Sequence, residues 1–163
     1  MLGREALFLA ARAEDGRGEW TVLVERICAH FGARSVEAVG ADVHYRRLPA
    51  ARLGELAPVV LDAAAAGDPI GSGLVDRVAE EVAALACKAL RDLELHEADV
   101  VLGGGMLREG GILVERVRPL LPAGVQVVVL DAPPVLGAVL AALDAAGASD
   151  EAKQRVRGGL RAG

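Results

Sequence analysis

Val100-Val101-Leu102-Gly103-Gly104-Gly105 is the stretch on which the reading of this chain turns. Three apolar residues, two of them β-branched, predict a short buried strand, and three glycines halt it. A helix from about Gly111 to Leu121 follows, and then Val125-Gln126-Val127-Val128-Val129-Leu130, the strongest strand signal present. Pro133-Pro134 opens a last helix that runs to Ala146 and stops at Gly147. That helix is apolar almost all round, so it is expected to be buried, with Gly137, Ala138, Ala141 and Ala142 allowing close packing. Strand, glycine turn, helix, strand, helix is a βαβα order, which demands parallel pairing beneath a crossover. Two strands do not make a stable doubly covered sheet on their own. Either further strands lie upstream, or the remaining strands belong to a larger architecture.

Upstream of Asp99 the chain reads as helical throughout. Glu5 to Ala13 predicts a short helix, ended by the turn Asp15-Gly16-Arg17-Gly18. Thr21 to Phe31 follows, with Leu23, Ile27 and Phe31 on one face and Gly32 where it stops. Ser35 caps a helix through Val43, and another runs from about Leu53 to Ala66. Asp68-Pro69 supplies an N-cap and a proline in the first helical position for the longest helix, Pro69 to Leu93. Its stripe of Val75, Val78, Val82, Leu85, Ala89 and Leu93 predicts a core-facing side. Gly71 and Gly73 weaken its first turns by about 1 kcal/mol each relative to alanine, so those turns are irregular or something approaches the backbone closely. Residues 149–163 read as a charged tail with little to bury.

Composition narrows the function classes. For a chain of 163 residues one domain is the default, and 53% hydrophobic with 25% charged residues predicts a folded rather than a disordered chain. Its longest uncharged runs, such as the 12 residues Ala132 to Leu143, fall short of the roughly 18 a membrane span needs. A net charge of −5 argues against nucleic acid or an anionic membrane as partner. Four aromatic residues provide no base-stacking platform. Two cysteines, Cys28 and Cys87, make no disulfide framework, and with no secretory signal evident the expected compartment is the cytoplasm.

Few residues are candidates for chemistry. Gly103, Gly104 and Gly105 follow a strand and precede a helix, where bare backbone can approach a nucleotide; a tight strand-to-helix turn explains them equally well. The dinucleotide fingerprint fails, because its third glycine falls at Arg108. Gly67-Asp68-Pro69 and Asp131-Ala132-Pro133-Pro134 both read as helix caps, the second also lying past a strand end where ligand sites collect. Arg12, Asp15 and Arg17 surround a turn that could take an anion or simply be solvated. Cys28 and His30 point about 200° apart on a helix and cannot share a metal. No nucleophile, base or metal set emerges.

In order and spacing, four stretches together resemble the C-terminal part of the BadF/BadG/BcrA/BcrD ATPase family, and within it the N-acetylglucosamine kinase-like proteins. They are Arg12-Ala-Glu-Asp-Gly-Arg-Gly18 with Thr21 and Leu23, Ala63-Ala-Ala-Ala-Gly-Asp68, Val100-Val-Leu-Gly-Gly-Gly105, and Pro133-Pro-Val-Leu-Gly-Ala138. The likeness covers about residues 4 to 148. It implies the C-terminal lobe of the actin-like ATPase, ribonuclease H-like fold over residues 1–148 (helical over 1–97, βαβα over 98–148), with few strands. Gly103, Gly104 and Gly105 would bring backbone against adenosine, Met106 would flank the base, and Gly67 and Asp68 would form the opposing wall. The implied cofactor is ATP with Mg²⁺, and the implied activity is phosphoryl transfer to a sugar, or ATP hydrolysis.

In such families the phosphate loops and the sugar-binding acid lie upstream of the segment matching Arg12. The expectation is therefore a nucleotide-side lobe without catalytic residues or metal ligands of its own, inactive until an N-terminal lobe completes it. A homodimer is the other partner the resemblance implies. A non-enzymatic helical dimerisation module derived from the same fold is the competing expectation.

Overall fold

The computed structural model describes residues 2–130 and 135–161. The architecture is mixed α/β and mostly helical, with a small parallel sheet. Five helices come first: α1 (Leu2–Glu14), α2 (Leu23–Phe31), α3 (Val36–His44), α4 (Leu56–Ala65) and α5 (Pro69–Asp92). They are followed by β1 (Ala98–Leu102), α6 (Ile112–Val117), β2 (Val125–Val129), α7 (Val135–Ala145) and α8 (Asp150–Arg161).

The helices form where their apolar positions recur at three- and four-residue steps. Ala6, Leu7 and Ala10 of α1, Leu23 and Ile27 of α2, and Val60, Ala63 and Ala64 of α4 make one core with Leu74, Val75 and Ala79 of α5. Each large side chain fully buried there contributes about 1.5–3 kcal/mol. The ends are closed by local chemistry. Ser35 Oγ accepts the Ala38 N–H at 3.1 Å, as an N-cap should. A second cap for α3 comes from a distance: the Glu14 carboxylate at the end of α1 accepts the Val36 and Glu37 N–H groups at 2.8 and 2.9 Å.

β1 and β2 pair in parallel, Ala98 opposite Val125 through to Leu102 opposite Val129, and α6 makes the crossover. Leu113 and Val117 of α6 join the core, and α6 packs against α5. Among the described residues the sheet has two strands. Val100 and Val127 turn toward the core, while Val101 and Val128 on the other face are exposed. No described helix is long and apolar enough to cross a membrane.

Three expectations from the sequence need correction, and a fourth gains detail. α7, apolar enough to belong inside, buries only Leu136 among its residues, and Gly137, Ala138, Ala141 and Ala142 are exposed. The stripe along α5 enters the core only in its N-terminal half; Leu85, Ala89 and Leu93 are exposed. The segment after Ser149, read as a charged tail with little to bury, is helix α8 and has no buried residue over 150–159; Ser149 caps it and Lys153 pairs with Asp144 and Asp150. The helix expected from Leu53 starts at Leu56, preceded by a 3₁₀ segment over Ala50–Glu55 that follows Pro49.

Candidate functional site

The glycine turn leaves the sheet at the C-terminal end of β1, where the buried Leu102 accepts the Leu130 N–H through its carbonyl at 2.8 Å. Gly104 has φ of +140°, a conformation strained for any residue with a Cβ. Its carbonyl accepts the Leu107 N–H at 3.0 Å, which closes the turn. A Cβ on Gly104 or Gly105 would meet nothing within 4 Å, whereas one on Gly103 would touch the Leu130 side chain at 3.7 Å. The backbone therefore demands glycine at 104 alone; the other two leave the turn bare and open to solvent.

Across from the turn lies the outer side of α4. Gly105, Met106 and Arg108 on one side, with Pro58, Leu61 and Asp62 on the other, line a groove of about 260 Å³. Ala65, Gly111 and Ile112 complete its lining. Its apolar members offer a face for a flat ring; Asp62 and Arg108 supply one carboxylate and one guanidinium at exposed positions. A volume near the lower limit of ordinary ligand pockets suits part of a ligand better than the whole. A larger hollow, about 800 Å³, is elsewhere, between α1 and the Ala50–Glu55 segment. It has no tie to the glycine turn.

The structure thus brings Gly105 and Met106 together with α4 and places Gly67 and Asp68 beyond the groove, just past Ala65. Asp68 is 4% exposed, and the chain's own donors occupy its oxygens. Oδ2 accepts the Gly71 N–H at 2.7 Å and the Thr21 hydroxyl at 2.8 Å; Oδ1 accepts the Val22 N–H at 3.0 Å. Thr21 Oγ1 in turn accepts the Leu23 N–H at 3.1 Å. One carboxylate therefore caps α5 and fixes the entry to α2. The close approach that the glycines of α5 foreshadow comes from α4: a Cβ on Gly71 would lie 2.9 Å from the Ala64 nitrogen, while Gly73 faces open space.

The other candidates are used locally or stand apart. Arg17 donates to Asp15 through Nε at 2.9 Å, and Arg12 Nη2 donates to the Arg17 carbonyl at 2.8 Å, so this turn satisfies itself. Asp131 to Pro134 lie outside the described residues. Burial, with the Glu14 charge adding to it, pushes the Cys28 thiol up, which makes it a poor nucleophile at neutral pH. Among the described residues no three His, Cys, Asp or Glu gather as a metal set. Asp62 is the one carboxylate on the groove, so these residues do not by themselves make a magnesium site.

Sequence reasoning missed Asp62 and Arg108 on the groove, and Thr21 as the partner of Asp68. It also missed the acid beside His30, whose Nε2 lies 3.1 Å from Glu55 Oε2 across 25 residues. None of these has a spacing signal, because each depends on helix packing.

No family model matches the chain. No curated protein and no solved structure matches it either. Its own geometry is what bears on function: a bare turn at the C-terminal end of a parallel strand, where ligands of open α/β sheets collect, facing an apolar helix wall.

Proposed function

We propose that this chain is the adenosine-side lobe of an ATP-dependent phosphotransferase or ATPase with the actin-like fold, of the N-acetylglucosamine kinase-like, BadF/BadG/BcrA/BcrD kind. The observation that carries the proposal is the open turn at Gly104 and Gly105, with Gly105 and Met106 facing Leu61 across a small groove. Bare backbone on one side and apolar side chains on the other suit a purine, whose face wants desolvation and whose edge wants N–H and C=O partners. Asp62 stands where a carboxylate can accept from a ribose hydroxyl. Gly67 and Asp68 act behind this wall, by fixing the junction of α4 and α5.

Phosphoryl transfer also needs phosphate cradling, a metal site and an oriented acceptor. The groove contributes none of these, so in this reading a second lobe supplies the phosphate loops and the Mg²⁺ ligands, and this chain supplies nucleoside affinity. Calorimetric titration of the full chain with ATP tests it, with adenosine as competitor and GTP as control. Saturable binding that adenosine displaces is the expected result. G104V should weaken that binding at least about tenfold by straining the turn while leaving the far-UV dichroism unchanged. No saturable adenine binding, or unchanged affinity in G104V, would overturn the assignment.

A further inference from the structure

The apolar stripe of α5 continues where the core ends. Val75 is buried and Val78 and Val82 are half-buried, but Leu85 is 71% exposed, Leu93 is 67% exposed, and Ala89 between them is exposed. At 3.6 residues per turn Val82, Leu85, Ala89 and Leu93 share an arc of about 80°. The chain's own packing uses a different side of this half-helix, through Ala83 and Leu90. An amphipathic surface is left without a partner among the described residues.

The charges beside it indicate what covers it. Arg77, Glu81, Lys88 and Asp92 follow one flank of the stripe, within about 60° of one another. In a pair of helices related by a two-fold axis, residue i meets j and j meets i, so an antiparallel flank meets its own reversed copy. The midpoint of Glu81 and Lys88 is also the midpoint of Arg77 and Asp92, just before Leu85. An axis there sets Glu81 against Lys88 of the second copy and Arg77 against Asp92, opposite charges at every position. The same axis brings Leu85 within about 1.5 Å of the height of its mate, and sets Val82 between Leu85 and Ala89 of the second copy and Val78 between Ala89 and Leu93. Glu81 has no ion-pair partner among the described residues; Lys88 pairs with Asp92 and Arg77 with Glu5. A parallel pair would need the opposite flank, which Ala79, Ala83 and Leu90 already bury against the chain.

We propose that two copies of this chain dimerise through α5, antiparallel, about a two-fold axis beside Leu85. The seam from residue 77 to 92 is about 24 Å long, and it does not depend on the nucleotide reading. Sedimentation velocity of the full chain over a range of concentrations should show a monomer–dimer equilibrium. L85E, at a position with no part in the core, should raise the dissociation constant at least about a hundredfold. Its far-UV dichroism and melting temperature at low concentration should match the native monomer.

E81K and K88E should each weaken the dimer about tenfold, since each puts like charges together twice. An equimolar mixture of the two should recover native affinity as a heterodimer, because each copy then supplies the charge the other needs. A merely structural role for either residue would not produce that rescue. A native chain that stays monomeric, an L85E chain that stays dimeric, or a mixture no tighter than its components would overturn the proposal.

Discussion

Replacing Asp68 by alanine tests how the junction beside the groove is held. The substitution removes a carboxylate that accepts three hydrogen bonds, from Gly71 N, Thr21 Oγ1 and Val22 N. Losing the cap of a long helix costs about 1 kcal/mol. The buried Thr21 hydroxyl loses its acceptor, at about 1–2 kcal/mol. The part-buried Val22 N–H finds water more easily and adds less than 1 kcal/mol. The expected loss is therefore about 3 kcal/mol, a large share of the 5–15 kcal/mol that stabilises a typical domain. Urea denaturation followed by far-UV dichroism reads this as a lower midpoint with an unchanged slope. For a chain of this length it corresponds to about 6–12 °C in melting temperature. T21V should cost about 1–2 kcal/mol, and D68A with T21V together should cost less than the two added, because both break the same bond. A loss below about 1 kcal/mol in D68A would refute the reasoning. It would mean that these donors are satisfied without the carboxylate, leaving Asp68 free for a ligand.

G71A and G73A lie two residues apart on α5 and should move stability in opposite directions. The first puts a Cβ 2.9 Å from the Ala64 backbone and should lower the melting temperature; the second faces open space and should gain up to about 1 kcal/mol of helix propensity. Hydrogen bonds from Arg52, and then from His30, hold the Glu55 carboxyl down to about 2 from an ordinary 4.5. A lowered folded-state value contributes stability above the ordinary value that disappears as pH falls through the lowered one. The melting temperatures of the native chain and E55Q should thus differ at pH 7 and converge between about pH 4.5 and 2, and a constant gap down to pH 2 would contradict the pairing. E14Q should loosen the start of α3, where Glu14 receives two backbone N–H groups, and speed amide exchange at Val36 and Glu37.

What the sequence reveals about this fold is whatever is decided within four or five residues. Ser35 and Asp68 announce helix starts because a cap is a bond to a neighbour three residues on. Gly32 and Gly67 announce helix ends because both adopt positive φ. The valines of β2 and the glycines after β1 make the βαβα order legible. Ala98 and Asp99 carry no strand signal; they are strand because Val125 and Gln126 lie beside them. The groove needs α4 to arrive opposite the glycine turn, and no local spacing encodes that. α7 shows the converse. Hydrophobicity states what a helix would gain from burial, and nothing in it guarantees a surface to be buried against.

α5 is the element in which these levels separate. Its first turn is fixed by Asp68, and its middle is tied to α1 through Arg77–Glu5 and to α6 through Arg116–Asp76. Beyond Val82 the helix turns a different side to the chain, while its original stripe continues outward into solvent. A uniform stripe in the sequence thus serves two purposes that periodicity cannot tell apart. The first half stabilises the wall of the groove, and under the proposed nucleotide function substitutions there should change stability and ATP affinity together. The second half contributes little to the fold, so L85E separates association from folding. If L85E melted as low as D68A, that division would be wrong, and the exposed leucines would belong to the core after all.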